Sequence, residues 1–424
     1  MKLHILSRIA ATLFLVLCVV VPHAAFAAST NTPSAVFAGA LEQLFAPFTS
    51  FFFGSVTSGF DYTTIRSFAS EHARHCVSIT AAQSRYDCYQ DAAKELLAHA
   101  SFLDINLALN DAQFDCHDLM HSIAARAYNQ YGSLANVYQQ ATFACFGAAY
   151  HGGAEGYLLA HNLQGASQHD LDTTILSGCR DALSESSPLY FQCVHGIGHA
   201  LMFVLADALP QALTLCDTFS NDGERVNCYG GVFMENIPSS QLSPHVSQYV
   251  RTNDIYYPCT ILAAHYKASC YHFQFSRISE TTGGSRANVV AYCAGVPTAY
   301  QDQCYRDAGQ TIAAMYSDTV ARVEACRAFG ITSRIQSCMR GAVRFYLDRY
   351  AGVPEKLVGA FDFCAVTPNE YKTGCFIEVG EIMAGRIKPP THQETQTTAR
   401  TICAPAQEYQ DVCVKGVFTK QVAI

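Results

Sequence analysis

Cysteine spacing limits this chain more than any other feature of its sequence. Nineteen cysteines occur in 424 residues, and apart from Cys18 they fall into couples. Eight couples have members 10 to 14 positions apart: Cys76 with Cys88, Cys179 with Cys193, Cys216 with Cys228, Cys259 with Cys270, Cys293 with Cys304, Cys326 with Cys338, Cys364 with Cys375, and Cys403 with Cys413. That leaves Cys116 and Cys145 for each other. An even set of cysteines in an exported chain reads as disulfides, and nine bridges in that order are expected. Metal–thiolate sites and attached haem are disfavoured, since neither C-x-x-C nor C-x-x-C-H occurs.

The couples also mark a repeat. Aligned on the second cysteine, the segments CYQDAAKELL at 88, CVHGIGHALMF at 193, CYGGVFMENI at 228, CYRDAGQTIAAMY at 304 and CMRGAVRFYL at 338 start alike and continue with helical character. From Cys193 onward these second cysteines follow one another at 35, 42, 34, 34, 37 and 38 residues, the period of helical-hairpin arrays. Another helical stretch precedes each first cysteine, as in QALTLC or DTVARVEAC, and turn residues such as DTFSNDGERVN lie between the two. The expected fold is therefore all-α, a disulfide-stapled helical-hairpin repeat array of the α-solenoid or toroid kind. A hairpin of about 35 residues cannot bury its own apolar face and must stack on its neighbours. Closing a loop of about a dozen residues stabilises by roughly 3 kcal/mol in the chain-entropy model, offsetting glycines near helix starts such as Gly230-Gly231. Those glycines either free a functional face or let helices pack closely.

In general scheme the architecture resembles cysteine-bridged Sel1-like and tetratricopeptide-type arrays. Their characteristic Trp, Gly and Tyr positions are not matched, there being no Trp at all, and the resemblance assigns no family.

The first 27 residues read as a secretory signal peptide: Lys2 and Arg8, an apolar run from Ile9 to Val21, Pro22, then Ala25-Phe26-Ala27 before cleavage. The run is short against the roughly 20 residues that span a bilayer, and no later stretch is long and charge-free enough, so no membrane span is expected after cleavage. Losing those two basic residues takes the net charge from −8 to −10, a field that repels polyanions and argues against nucleic acid as a partner. The address is secreted or periplasmic, and the lack of an Asn-linked glycosylation sequon favours a bacterial envelope. Residues 28–75 form an aromatic-rich lead segment containing LFAPFTSFFFG. Helical repeats with the histidine cluster occupy 76–276, a flexible connection 277–288, and C-terminal repeats 289–424, with a linker at 388–397.

Three histidine-bearing pairs carry the chemistry. His117/His121, His151/Glu155 and His195/His199 all have i,i+4 spacing and lie just after a cysteine that opens a helix. Such residues stand one above the other, about 5–6 Å apart at Cβ, from where two imidazoles can close on one ion at about 2.0–2.1 Å. Nearly matching offsets in stacked hairpins would bring His117, His121, His151, Glu155, His195 and His199 to one wall as ligands for one or two transition-metal ions, zinc, copper or iron. Glu155 and Glu235 are the candidate general bases, Glu235 with a helical phase about 100° away from its neighbours. Asp118 is a candidate to hold a ligating ring from behind. The bland alternative is a polar network between glycine-rich helices, and His161, His169, His245, His265 and His392 are read as ordinary surface or hydrogen-bonded histidines.

Further along, His272 and Arg306 repeat the phase of His195, and Arg340 and Arg344 that of His195 and His199. They are the candidates for binding a ligand carboxylate or phosphate in a concave groove. H-E-x-x-H, G-x-S-x-G, S-x-x-K and a strand-borne G-x-G-x-x-G are absent, which lowers the odds of the familiar hydrolases and dinucleotide enzymes. Two functions remain. One is a metalloenzyme performing metal-assisted hydrolysis or copper/iron redox chemistry; the other is a non-catalytic envelope scaffold that takes a small molecule, peptide or protein on its concave face.

Overall fold

The computed structural model describes residues 59–110, 112, 114–161, 167–185, 189–237, 247–282, 285–316, 318–349, 358–384 and 392–421. The proposed signal peptide and most of the lead segment lie outside them. Helices α1 (Tyr62–Val77), α2 (Ala82–His99), α3 (Phe102–Leu109), α4 (His117–Tyr131), α5 (Leu134–Tyr138) and α6 (Ala144–Ala160) come first. They are followed by α7 (Gln168–Ala182), α8 (Tyr190–Val204), α9 (Leu209–Cys216), α10 (Asp222–Glu235), α11 (Ala264–Thr282), α12 (Arg286–Gly295) and α13 (Thr298–Met315). The chain continues through α14 (Thr319–Arg327), α15 (Thr332–Arg349), α16 (Val358–Val366), α17 (Asn369–Ala384), α18 (His392–Cys403) and, after a 3-10 turn, α19 (Gln410–Gln421). Among the described residues the fold is all-helical, with a lone bridge between Arg251 and Asp254, and no helix there is long and apolar enough to cross a membrane.

Local punctuation sets the hairpins. Asp61 caps α1, its carboxylate accepting from the Thr64 amide at 2.7 Å, and Asn221 with Glu224 forms a reciprocal capping box on α10. Nine cysteine pairs stand at bonding distance in the order expected from their spacing, with Cα separations of 5.3 to 5.8 Å. Eight tie the close of one segment to the following helix. Cys76 on α1 meets Cys88 on α2, Cys179 on α7 meets Cys193 on α8, and Cys216 on α9 meets Cys228 on α10. Cys259, ahead of α11, meets Cys270 within it, and Cys293 on α12 meets Cys304 on α13. Cys326 on α14 pairs with Cys338 on α15, Cys364 on α16 with Cys375 on α17, and Cys403 on α18 with Cys413 on α19. The exception joins neighbouring hairpins: Cys116 caps α4 and Cys145 opens α6, so this bridge pins two histidine-bearing helices at their N-terminal ends.

Helices that carry second cysteines pack on one another in turn, α6 on α8 and α8 on α10, with α4 on α6 before them, and later α13 on α15, α15 on α17 and α17 on α19. Glycine makes these approaches possible. A Cβ at Gly152 would stand 2.1 Å from the His121 carbonyl oxygen, and one at Gly231 1.9 Å from that of His195, so the backbones themselves are in contact. Gly309 and Gly341 form a reciprocal crossing between α13 and α15. Close packing is thus the structural use of these glycines, and it draws consecutive histidine faces together.

Residues Phe60–Ile424 form one compact unit. Two expected connections prove largely helical. Helix α11 runs through to Thr282 and α12 begins at Arg286 under a Ser285 cap, and within α11 buried Arg277 donates to the Arg251 carbonyl at 2.8 Å. Helix α18 likewise starts at His392, inside the stretch read as a linker.

Candidate metal centre

The site is built from two copies of one arrangement with a fifth imidazole between them. On α4, His117 Nδ1 donates to the Cys145 carbonyl at 2.9 Å and His121 Nδ1 to Glu155 Oε1 at 2.6 Å, both on the next helix, α6. On α8 the pattern recurs one hairpin on: His195 bonds the Asn227 backbone, and His199 Nδ1 donates to Glu235 Oε2 at 3.0 Å, both partners on α10. Between them, His151 donates from Nε2 to Gln192 Oε1 at 2.8 Å.

A carbonyl, a carboxylate or an amide oxygen can only accept, so these bonds fix the tautomers. In the neutral rings the nitrogens left with lone pairs are Nε2 of His117, His121, His195 and His199, and Nδ1 of His151. They face each other. His121 Nε2 lies 3.1 Å from His117 Nε2 and 3.2 Å from His151 Nδ1, and His199 Nε2 lies 3.2 Å from His195 Nε2. Opposed lone pairs at this range need a cation or a proton between them. Burial, then the neighbouring imidazoles, pushes the His117 pKa down to about 4 and that of His195 to about 3, and drives His151 and His199 well below the ordinary range. A proton therefore does not fill the gap between His195 and His199 at neutral pH. Imidazole nitrogens each about 2.0–2.1 Å from a tetrahedral ion sit roughly 3.3 Å apart, close to the separations found here.

Three sets of donors lie mutually within 4.8 Å and can hold a metal ion: His117/His121/His151, His151/His195/His199 and His121/Glu155/His199. His121, His151, His199, Glu155 and Glu235 are buried, while His117 and His195 keep a partly exposed edge.

The backbone is distorted at the same place. Cys145, Phe146 and Gly147 have φ of 52°, 61° and 80°, a left-handed excursion costing about 1–3 kcal/mol for each non-glycine residue. It sits where the Cys145 carbonyl meets His117 Nδ1 and where the bridge to Cys116 is made. Strain, crosslink and ligand-orienting carbonyl coincide.

Some residues stand elsewhere or do other work. Asp118 holds no histidine ring; it accepts from Tyr89 at 3.4 Å, and burial followed by nearby Asp115 pushes its pKa up to about 6. Glu155 and Glu235 take the ring-holding role instead. His272 is held by Asp307 at 2.8 Å. Arg306 pairs with Asp302 at 2.5 Å, and Arg340 binds buried Glu378 at 2.5 Å and Glu381 at 3.1 Å, so these arginines are engaged within the protein. Arg344 is exposed on α15. His161 donates to the Tyr157 carbonyl, His265 stands 3.9 Å from Asp217, and His245 lies outside the described residues. Sequence reasoning did not find Gln192, although it sits one turn before His195, nor the two backbone carbonyls, which no residue type can signal.

No protein-family model, curated protein or solved structure matches this chain.

Proposed function

We propose that the protein is an exported, disulfide-stapled helical-repeat array, delivered by the signal peptide at 1–27, whose early hairpins bind a transition metal: zinc, copper or iron. One observation carries this reading. Five imidazoles from three separate helices turn ring nitrogens toward one another, with each outward nitrogen held by a hydrogen-bond acceptor. A structural polar network would alternate donors with acceptors; the His195/His199 contact sets acceptor against acceptor. Nine cysteine pairs at bonding distance fit an oxidising compartment.

Neutral imidazole donors suit all three metals, and the accessible edges of His117 and His195 leave room for a ligand on the ion. Such a centre serves metal-assisted hydrolysis by activating bound water, or copper/iron redox chemistry on a small molecule or peptide lying over it. In either case Glu155 and Glu235 orient His121 and His199 and raise their basicity. Metal analysis of protein purified without a histidine tag tests the reading. At least one equivalent of transition metal per chain is expected after loading, with a rise in melting temperature that His199→Ala reduces. Less than about 0.2 equivalents, with unchanged melting, overturns it in favour of a metal-free scaffold.

A further inference from the structure

The repeated arrangement of the site bears on how many ions it holds. No set of donors mutually within 4.8 Å contains both the His117/His121 pair and the His195/His199 pair among the described residues. One ion cannot serve both pairs, because two bonds of about 2.0–2.1 Å span at most about 4.2 Å. Each pair already closes on its own point, at 3.1 and 3.2 Å, and each has its own carbonyl and its own glutamate behind it. His151 is common to the two triads that contain a whole pair, the third set being His121/Glu155/His199. Its ring centroid lies 5.4 and 5.2 Å from those of His117 and His121, and 4.8 and 5.6 Å from those of His195 and His199. Its Nδ1 faces His121 on α4, and its Nε2 faces Gln192 on α8, the helix that carries the second pair.

We propose that the centre is binuclear, with one transition-metal ion on His117, His121 and His151 Nδ1 and a second on His195, His199 and His151 Nε2, so that the His151 ring bridges the two. This rests on the reading that the cluster binds metal. Binding of the second ion replaces the Nε2 proton of His151, which passes to bulk water, and Gln192 gives up its hydrogen bond to that ring. The remaining positions of both ions open toward the exposed edges of His117 and His195.

Cu(II) titration of tag-free protein, followed by metal analysis and electron paramagnetic resonance, tests the proposal. Two equivalents per chain are expected, with the doubly loaded form giving well under half the spin intensity of two isolated Cu(II) ions. His195→Gln, at a partly exposed position where folding is least at risk, is expected to bind one equivalent with an isolated Cu(II) spectrum. His151→Ala is expected to lose the coupling. Saturation of the unaltered protein at one equivalent, two uncoupled ions, or two equivalents in His195→Gln overturns the binuclear centre and leaves the metal reading standing; no binding at all overturns both.

Discussion

Gly152→Ala converts the packing of α6 on α4 into a measurable change at the metal centre. An added Cβ would lie 2.1 Å from the His121 carbonyl oxygen, against an ordinary contact of at least 3.4 Å, and neither atom can rotate away because both belong to helix backbone. The helices must part by about 1.3 Å. Overpacking of this kind costs about 1–3 kcal/mol, and alanine returns about 1 kcal/mol of helix propensity, so a net loss of about 2 kcal/mol and a melting temperature lower by several degrees are expected. A rigid retreat also opens the 3.2 Å between His121 Nε2 and His151 Nδ1 to about 4.5 Å, beyond the roughly 4.2 Å that two metal–imidazole bonds can span. Affinity at the His117/His121/His151 triad should fall at least about 100-fold, as losing a ligand costs no less than losing its outer partner. Gly341→Ala is the control: its Cβ would stand 1.8 Å from the Arg306 carbonyl oxygen in the α13–α15 crossing, which carries none of these histidines. It should lose similar stability and keep its metal. Calorimetric melting and competition with a chromophoric chelator read the two effects separately. Wild-type metal affinity in Gly152→Ala, or equal loss in both variants, would refute the claim that backbone contact sets the ligand spacing.

Metal-free protein should weaken as pH falls. His117 and His195 are held neutral down to about 4 and 3, whereas in the unfolded chain they take up protons near 6.5, so below that value the unfolded state binds more protons. Stability is fully present above about 6.5 and declines through the window down to those folded values; a flat urea-denaturation profile between pH 4 and 7 would contradict the assignment. Cys116→Ser/Cys145→Ser removes a bridge closing a separation of 29 residues, worth about 3–4 kcal/mol in the chain-entropy model, and should weaken metal binding as well by freeing the left-handed turn. The corresponding change at Cys326 and Cys338 should cost about 3 kcal/mol and leave binding alone. Arg340→Met strands buried Glu378 and is expected to destabilise by about 3–5 kcal/mol, with Arg340→Met/Glu378→Leu recovering most of that loss. If the single and double variants melt alike, the pair is not what holds α15 to α17.

Cysteine couples and i,i+4 histidine pairs were legible in the sequence because both are local. A separation of 10 to 14 residues, as between Cys76 and Cys88 or between Cys364 and Cys375, suffices to fold a turn back on itself. A helix alone places His117 beneath His121 or His195 beneath His199. The partners of those rings were not legible. Asp118, on the ligands' own helix, looked the natural ring holder, yet it turns to Tyr89, and the holders are Glu155 and Glu235 on the following helices. Helical phase counted from Cys228 placed Glu235 off the wall, because phase within one helix says nothing of where a neighbour crosses it; the Gly231 contact with the His195 carbonyl decides that. The arginines show the same limit, since the phase that led to Arg340 could not reveal Glu378 waiting on α17.

What the sequence determined by itself is the set of short covalent loops, the helical periodicity and the presence of ligand-type side chains at one-turn spacing. Only the tertiary structure decided that three such faces share one volume, that the Cys145 carbonyl and the Asn227 backbone meet the outer nitrogens, and that the inner ring nitrogens meet at about 3 Å. The physical reason is distance: backbone contact at glycine fixes helix separation to within tenths of an ångström, and no pattern along the chain carries that length.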